Sequence, residues 1–305
     1  MSEQSSRERL SGALTCGKPE YVPCCFMLFQ ALRQECRDDF EFFDRQLGLG
    51  LDVRVELPDL PMRFDPQVSV RTWKEHPPGE PYPLLCKEYA TPSGVLQTAV
   101  RKTADWPYGD QVPLFDDFIA PRARKFLIER PEDLAGLRHL LIAPGDEDIR
   151  AFRSSVARYR EYARGRGLLL SGGWRDYPSQ DVAVFGGQSG GTVGIDALMW
   201  LCGAVAPLEW AYEKPNFLAE LIDLIARWTR RRLEIVLDVG VDLIVKRAWY
   251  EGTELWSPQL YRRFIVPVLR EDIAAVHETG ARFGYINTSG TRPIFGDLLE
   301  LGVDA

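Results

Sequence analysis

The sequence predicts an α/β fold of the (β/α)8 barrel type, and three observations carry that expectation. Amphipathic runs in the last third end in Gly240, Gly280 and Gly302, and each passes at once into a short apolar stretch such as Leu243-Ile244-Val245 or Phe283-Gly284-Tyr285-Ile286. Glycine takes the left-handed conformation that closes a last helical turn, so each reads as a helix end and the apolar stretch after it as a buried strand. Helices and short strands alternate instead of clustering, which is the order of parallel β/α units. The span 240–302 holds two such units, near the roughly 30 residues per unit of a barrel. Gly165 and Gly167 before Leu168-Leu169-Leu170 carry the pattern backwards, while Val303-Asp304-Ala305 opens a strand with nothing left to finish it. A barrel incomplete at its C-terminus is therefore expected.

Composition sets the frame. With 305 residues, 45% of them hydrophobic, the chain can bury a barrel-sized core, and one domain over 1–305 is expected. A net charge of -7 argues against a nucleic-acid partner, whose binding rests on Lys and Arg neutralising phosphates. The polar start lacks the apolar core of a signal peptide, and no apolar run approaches the ~18 residues of a membrane span. Cys16, Cys24, Cys25, Cys36, Cys86 and Cys202 form no spaced framework, which fits reduced thiols in a cytoplasm. Cys24 and Cys25 read as buried and inert.

In chain order, the apolar run 21–29 reads as the first core strand, with Pro23 near its beginning. A helix covers 38–47, and the alternating Val53-Arg54-Val55-Glu56-Leu57 is a strand. Prolines at 77, 78, 81, 83, 92, 107, 113 and 121 cut residues 67–130 into pieces too short for long helices. Two strands around Pro92-Ser93-Gly94 make this segment an antiparallel excursion from the barrel. Residues 146–164 are a helix and 168–171 a strand. Phe217, Leu221, Leu224, Ile225 and Trp228 recur at helical spacing with Arg230-Arg231-Arg232 largely opposite. Ser257-Pro258 is an N-cap followed by a first-turn proline, and Pro267 kinks or splits that helix.

Arg7-Glu8-Arg9-Leu10, Lys18-Pro19-Glu20-Tyr21-Val22-Pro23, Thr91-Pro92-Ser93-Gly94, Ser257-Pro258 through Phe264 and Pro267, His277-Glu278-Thr279-Gly280 and Gly302-Val303-Asp304 together give the chain a likeness. It resembles the uroporphyrinogen decarboxylase superfamily, which also contains the methylcobalamin-dependent methyltransferases. The resemblance implies the barrel. In the decarboxylase branch an Arg-rich segment after the first strand grips the substrate carboxylates; here Cys24-Cys25-Phe26-Met27-Leu28-Phe29 offers no cation. In the methyltransferase branch a His-x-Cys pair holds zinc, which activates a substrate thiol. The aligned residues are Asn287 and Ser289, so no metal site is expected. The resemblance thus implies a corrinoid-linked methyltransferase without the zinc pair. No cofactor is bound by the chain itself, and methylcobalamin is carried by a corrinoid-protein partner. Uroporphyrinogen decarboxylation, decarboxylation of a smaller carboxylate through Lys246 and Arg247, and a non-catalytic ligand-binding barrel stand as alternatives.

Strand C-terminal ends supply the candidate site. Asn287 and Ser289 are either hydrogen-bond partners of a neutral substrate edge or a polar turn. Arg247, Trp249, Tyr250 and Glu251 offer anion binding, stacking and acid or base chemistry, or else are rim salt-bridge residues. Trp174 walls the pocket or packs. Residues 182–185 read as a strand, and Gly187-Gln188-Ser189-Gly190-Gly191 has the G-x-S-x-G pattern of a nucleophile elbow. The sole downstream His277 lies at a helix end, so 186–191 reads instead as a loop closing over the barrel mouth. The small-molecule site is therefore expected to combine Glu251, Tyr250 and Asn287 as catalytic groups with Trp174, Arg247, Ser289, Gly187 and Ser189 as binding groups.

Overall fold

The computed structural model describes residues 4–26, 29–175 and 193–305. After β1 (Arg54–Glu56) the chain runs through an antiparallel meander of β2 (Ser69–Glu75), β3 (Leu84–Thr91), β4 (Gly94–Arg101) and β5 (Ala123–Lys125). It then returns to the first sheet with β6 (Leu169–Gly173), β7 (Leu243–Arg247) and β8 (Arg282–Ile286), giving the all-parallel order β1-β6-β7-β8. Helices Asp146–Arg166, Pro215–Asp238 and Val266–Glu278 precede β6, β7 and β8 in turn. Each parallel strand thus has its own crossover helix, as parallel pairing requires.

The register sorts side chains into two faces, because paired residues point the same way. Glu56 pairs Ser171, Ser171 pairs Leu243, Val245 pairs Gly284 and Arg247 pairs Ile286. One face therefore carries Glu56, Ser171, Leu243, Val245, Arg247 and Ile286. The other carries Val55, Leu170, Ile244, Lys246, Phe283 and Tyr285, and its apolar members enter the main core with Val236 and Ile273 of the helices. On the first face Leu169, Trp174, Leu243 and Val245 form a separate small cluster with Leu10 and Leu14 of the helix Ser6–Leu14. That helix is held by Arg7 on Asp242, Arg9 on Asp52 and a backbone bond from Arg7 to Gly167. All three anchors precede strands, so the helix covers the N-terminal ends of β1, β6 and β7.

Most expected elements are present. Asp38 caps the helix Asp39–Gly48, accepting from the Glu41 N–H, and Gly167 closes Asp146–Arg166 at φ 63°. Ser257 Oγ accepts from Leu260 N–H, and a π turn over Tyr261–Ile265 precedes Pro267. The missing proline N–H and the crowding of its ring explain that widened turn. The meander at 67–130 is antiparallel, and its Leu85, Tyr89, Leu96 and Val100 share the main core. At its Pro92-Ser93 turn, His139 joins Ser93 Oγ (3.0 Å) to Asp65 Oδ2 (2.8 Å). Ser93 is exposed on that turn, and this relay works as a tether.

One expectation needs correction, and one is seen in part. Residues 21–26 form no strand: Val22 is 83% exposed, Cys24 and Cys25 are exposed and in no disulfide, and the following regular element is the helix Phe29–Gln34. Pro23 removes a ladder donor, and the backbone bond Asp52 N–H to Cys24 O (2.7 Å) is an isolated contact instead of a ladder. The ring of eight strands is seen as a four-stranded parallel arc among the described residues. Along the far edge of β8, residues 303–305 make the bonds Asp304 N–H to Phe283 O (3.0 Å) and Tyr285 N–H to Ala305 O (2.7 Å). No helix among the described residues is long and apolar enough to cross a membrane.

Gly173 is the hinge on which the end of β6 turns. Its φ is 92°, and a Cβ there would lie 2.2 Å from the Val245 carbonyl oxygen. Gly173→Ala should lower the unfolding free energy by roughly 2–4 kcal/mol in chemical denaturation, from backbone strain and overpacking combined. Gly284→Ala, whose Cβ would meet nothing nearer than 3.7 Å, should change it by less than about 1 kcal/mol.

Candidate functional site

The C-terminal ends of β6, β7 and β8 converge on a set of buried charges. Arg247, the last residue of β7, is 2% exposed. Its Nη2 donates to both oxygens of Asp117 at 2.7 and 2.8 Å, and Nη1 lies 3.2 Å from Asp196 Oδ2. Asp117 also accepts from Tyr250 OH (2.7 Å) and Trp200 Nε1 (3.0 Å). Asp196 accepts from the backbone N–H groups of Trp249 (3.1 Å) and Tyr250 (2.8 Å), which fixes the turn that leaves β7. The guanidinium stacks 4.0 Å from the Trp249 ring centre and 5.1 Å from that of Trp200. Burial pushes the Asp196 carboxyl up to about 7, against the opposing pull of Arg247.

Lys246, one residue earlier, points to the opposite face. Its Nζ lies 3.5 Å from Glu251 Oε1 and 3.7 Å from Asp272 Oδ2. Glu251 is fully buried; its Oε2 accepts from Tyr285 OH (2.6 Å) and its Oε1 from Ile195 N–H (3.1 Å). Burial, with Glu251 adjacent, raises the Tyr285 phenol well above its ordinary value and keeps it a donor. Arg230 completes the group with a 2.8 Å bond to Asp272.

These contacts redistribute the residues singled out from sequence. Both carboxylate oxygens of Glu251 are engaged within the layer between sheet and helices, so it is no open acid or base. Tyr250 OH is committed to Asp117. The anion-binding capacity expected of Lys246 and Arg247 is neutralised, since each cation faces two carboxylates. Trp174 sits beside Trp249, ring centres 6.0 Å apart. Asn287 Oδ1 accepts from Ser289 N–H (3.2 Å), and their turn rests on Gly252, where a Cβ would lie 2.4 Å from Ser289 O. Gly187 and Ser189, with the loop 186–191 and the strand expected at 182–185, lie outside the described residues.

The zinc of the methyltransferase branch does not fit these residues. At Asn287 and Ser289, the positions the resemblance aligns with its ligands, the amide oxygen of Asn287 is already an acceptor, and amide and hydroxyl are poor ligands for this metal. Among the described residues no group of three His, Cys, Asp or Glu is placed to hold an ion.

Asp117, Asp196 and Trp200 escaped the sequence reading. A signal existed: Asp116-Asp117 interrupts the apolar Val112-Pro113-Leu114-Phe115 and Phe118-Ile119, and carboxylates inside such a run are buried and partnered. A second feature also went unseen. A cavity of about 520 Å³ lies on the β1 and β6 flank, lined by Asp39, Asp59, Arg63, Ser155, Tyr159 and Arg175 among others. Arg175 bridges Asp39 (2.8 Å) and Asp59 (3.7 Å) there.

Residues 183–305 match the family model described as uroporphyrinogen decarboxylase (URO-D). No curated protein matches the chain. A solved structure described as a methyltransferase from Methanosarcina mazei is similar at a TM-score of 0.49 and 16% identity, over 99% of this chain and 75% of that one.

The Asp116 carboxyl generates a pH prediction. Burial, with Asp117 adding, pushes it up to about 7 from an ordinary 3.8, against the Phe118 N–H and Arg247. Between those values the folded chain holds a proton the unfolded chain has released. Stability from this group is therefore present below about pH 4 and lost as pH rises towards about 7, at up to about 1.4 kcal/mol per pH unit. Asp116→Asn should flatten that part of the stability curve measured by denaturation from pH 4 to 8; an unchanged slope would count against the assignment.

Proposed function

We propose that this chain, which belongs to the uroporphyrinogen decarboxylase superfamily over residues 183–305, is a methyltransferase acting on a small methylated substrate. Its corrinoid is carried by a partner protein docking where the strand ends open. The four-stranded arc is then part of a (β/α)8 barrel, and β6, β7 and β8 present the reacting face.

One observation favours methyl transfer over decarboxylation. The described cations at these strand ends, Arg175, Lys246 and Arg247, each face two carboxylates. A further carboxylate substrate would have to compete with these carboxylates for cations already paired, in a poorly hydrated site, which is costly at low dielectric. Methyl transfer to or from a corrinoid needs no cation to grip a carboxylate; it needs alignment of the methyl carbon, which is work for positioning groups. Arg247, Asp117 and Asp196 hold the end of β7 rigid, the Trp174 and Trp249 rings wall the substrate, and the Asn287 amide orients it. The corrinoid, when present, supplies or accepts the methyl group.

The test is spectroscopic. The protein is mixed with reduced cobalamin and a panel of O-, N- and S-methyl compounds, and methylcobalamin formation is followed by absorbance. Turnover with at least one class is expected, and Asn287→Ala should slow it by about tenfold or more with an unchanged circular-dichroism spectrum. Absence of methyl transfer across the panel, together with carbon dioxide release from a carboxylate substrate, would transfer the chain to the decarboxylase reading.

A further inference from the structure

On the first face of the sheet, above the strand ends, four side chains bury hydrogen-bond donors without an acceptor among the described residues, Arg247 Nη1 having only its ion pair with Asp196. The other donors are Trp174 Nε1, Trp249 Nε1, Arg247 Nε and Asn287 Nδ2. Buried donors are ordinarily paired, and one orphan can be an accident of packing. These four belong to one patch. The two indoles lie 6.0 Å apart, Arg247 stacks 4.0 Å from Trp249, and Ile286, the register partner of Arg247, packs in the same small cluster as both tryptophans. Thr288 Oγ1 donates to Trp249 O at 3.4 Å, which brings the Asn287 turn onto the same group.

The patch is therefore rich in N–H groups and short of oxygen. Its walls are apolar, and the acceptors nearby are already taken: both Asp117 oxygens by Arg247, with Tyr250 and Trp200 adding to Oδ1, and both Asp196 oxygens by Trp249 and Tyr250. A ligand that completes it brings acceptor atoms. Charge decides what kind. Arg247 is the cation on this face of the site, and two carboxylates already surround it, so a third negative group would be repelled where a neutral carbonyl or ether oxygen would not.

We infer that this face binds a neutral small molecule with an aromatic or apolar body, whose oxygen is taken by the indole N–H groups of Trp174 and Trp249 and by the Asn287 amide. The inference rests on the methyl-transfer reading for the location of the site and deepens it by naming the substrate class. Specificity comes from the same groups: a site built of donors discriminates against analogues that lack the acceptor far better than an apolar pocket discriminates by size.

Benzamide and benzoate are matched in shape and differ in charge, so they form the test. Binding is titrated on the full chain by 1H-15N spectra that report the indole N–H signals. Benzamide should saturate at millimolar concentration and move two indole signals, and benzoate should bind at least tenfold more weakly. Trp174→Phe and Trp249→Phe keep a ring and delete the N–H; each should weaken benzamide about tenfold without lowering the Tm, because the deleted donor has no partner in the free protein. A fall in Tm with unchanged binding would identify the indoles as structural and overturn the inference. Benzoate binding as tightly as benzamide, or no saturable benzamide binding, would overturn it too. Methyl transfer that persists when benzamide fails to bind removes this inference alone, and benzamide binding without methyl transfer removes the functional reading alone.

Discussion

The double carboxylate clamp on Arg247 is the interaction on which the architecture of the site depends. Asp117 comes from the connection between β4 and β5 of the antiparallel meander, Asp196 from the chain that leads to the helix Ala197–Cys202, and Arg247 from the end of a central parallel strand. Three stretches far apart in sequence meet at one guanidinium. The planar fork explains why arginine stands here: it reaches two carboxylates at once and still lies flat on Trp249. Such a group is poor evidence of net stability, because the desolvation of three charges offsets most of their attraction. Its effect is on specificity of arrangement. Any other packing of these segments would strand a charge without a partner, and that cost is far larger than the net gain of the clamp itself.

Alternation along β7 turns this local fact into an organisation of the whole sheet. Lys246 and Arg247 are neighbours in sequence and enemies in charge, yet strand geometry sends them to opposite faces, each into its own pair of acids. On the helix side, Lys246 ties Glu251 to Asp272 of the helix Val266–Glu278, so the turn after β7 and the helix before β8 are held together. On the other face, the helix Ser6–Leu14 closes one end of the sheet through Asp52, Asp242 and Gly167. At the other end of that face, the strand C-termini carry the tryptophans and Asn287.

The sequence made the regular elements legible where one local rule dominated: glycine at helix ends, Asp38 and Ser257 at helix starts, alternation in β1, and prolines confining the meander. It failed at 21–26, where apolar residues without a partner strand stay in the open. Hydrophobicity there was read as burial, but burial needs a neighbouring ladder, which no local pattern reveals. The site was half legible. Position at a strand end singled out Trp174, Arg247, Tyr250 and Asn287, since a parallel sheet brings such ends together whatever their spacing. The partners were hidden, because Asp117 and Asp196 reach Arg247 across 130 and 51 residues of chain respectively. Without them Arg247 and Glu251 looked like free reactive groups, when each is occupied.

That occupation bears on the chemistry open to a chain whose residues 183–305 match the uroporphyrinogen decarboxylase model and whose β8 runs out into Asn287 and Ser289. A thiol-activating metal demands soft or imidazole ligands, and a carboxylate-binding pocket demands unopposed cations; among the described residues the strand ends offer neither of these. What remains is a preorganised set of neutral donors with aromatic walls, held rigid by charges that have already been satisfied. Such a set gains little from altering the pKa of a reacting group and much from fixing where an oxygen and its attached carbon lie. In the proposed reaction catalysis comes from geometry, and it would therefore be more sensitive to a small displacement of β7 or β8 than to the loss of any one titratable side chain.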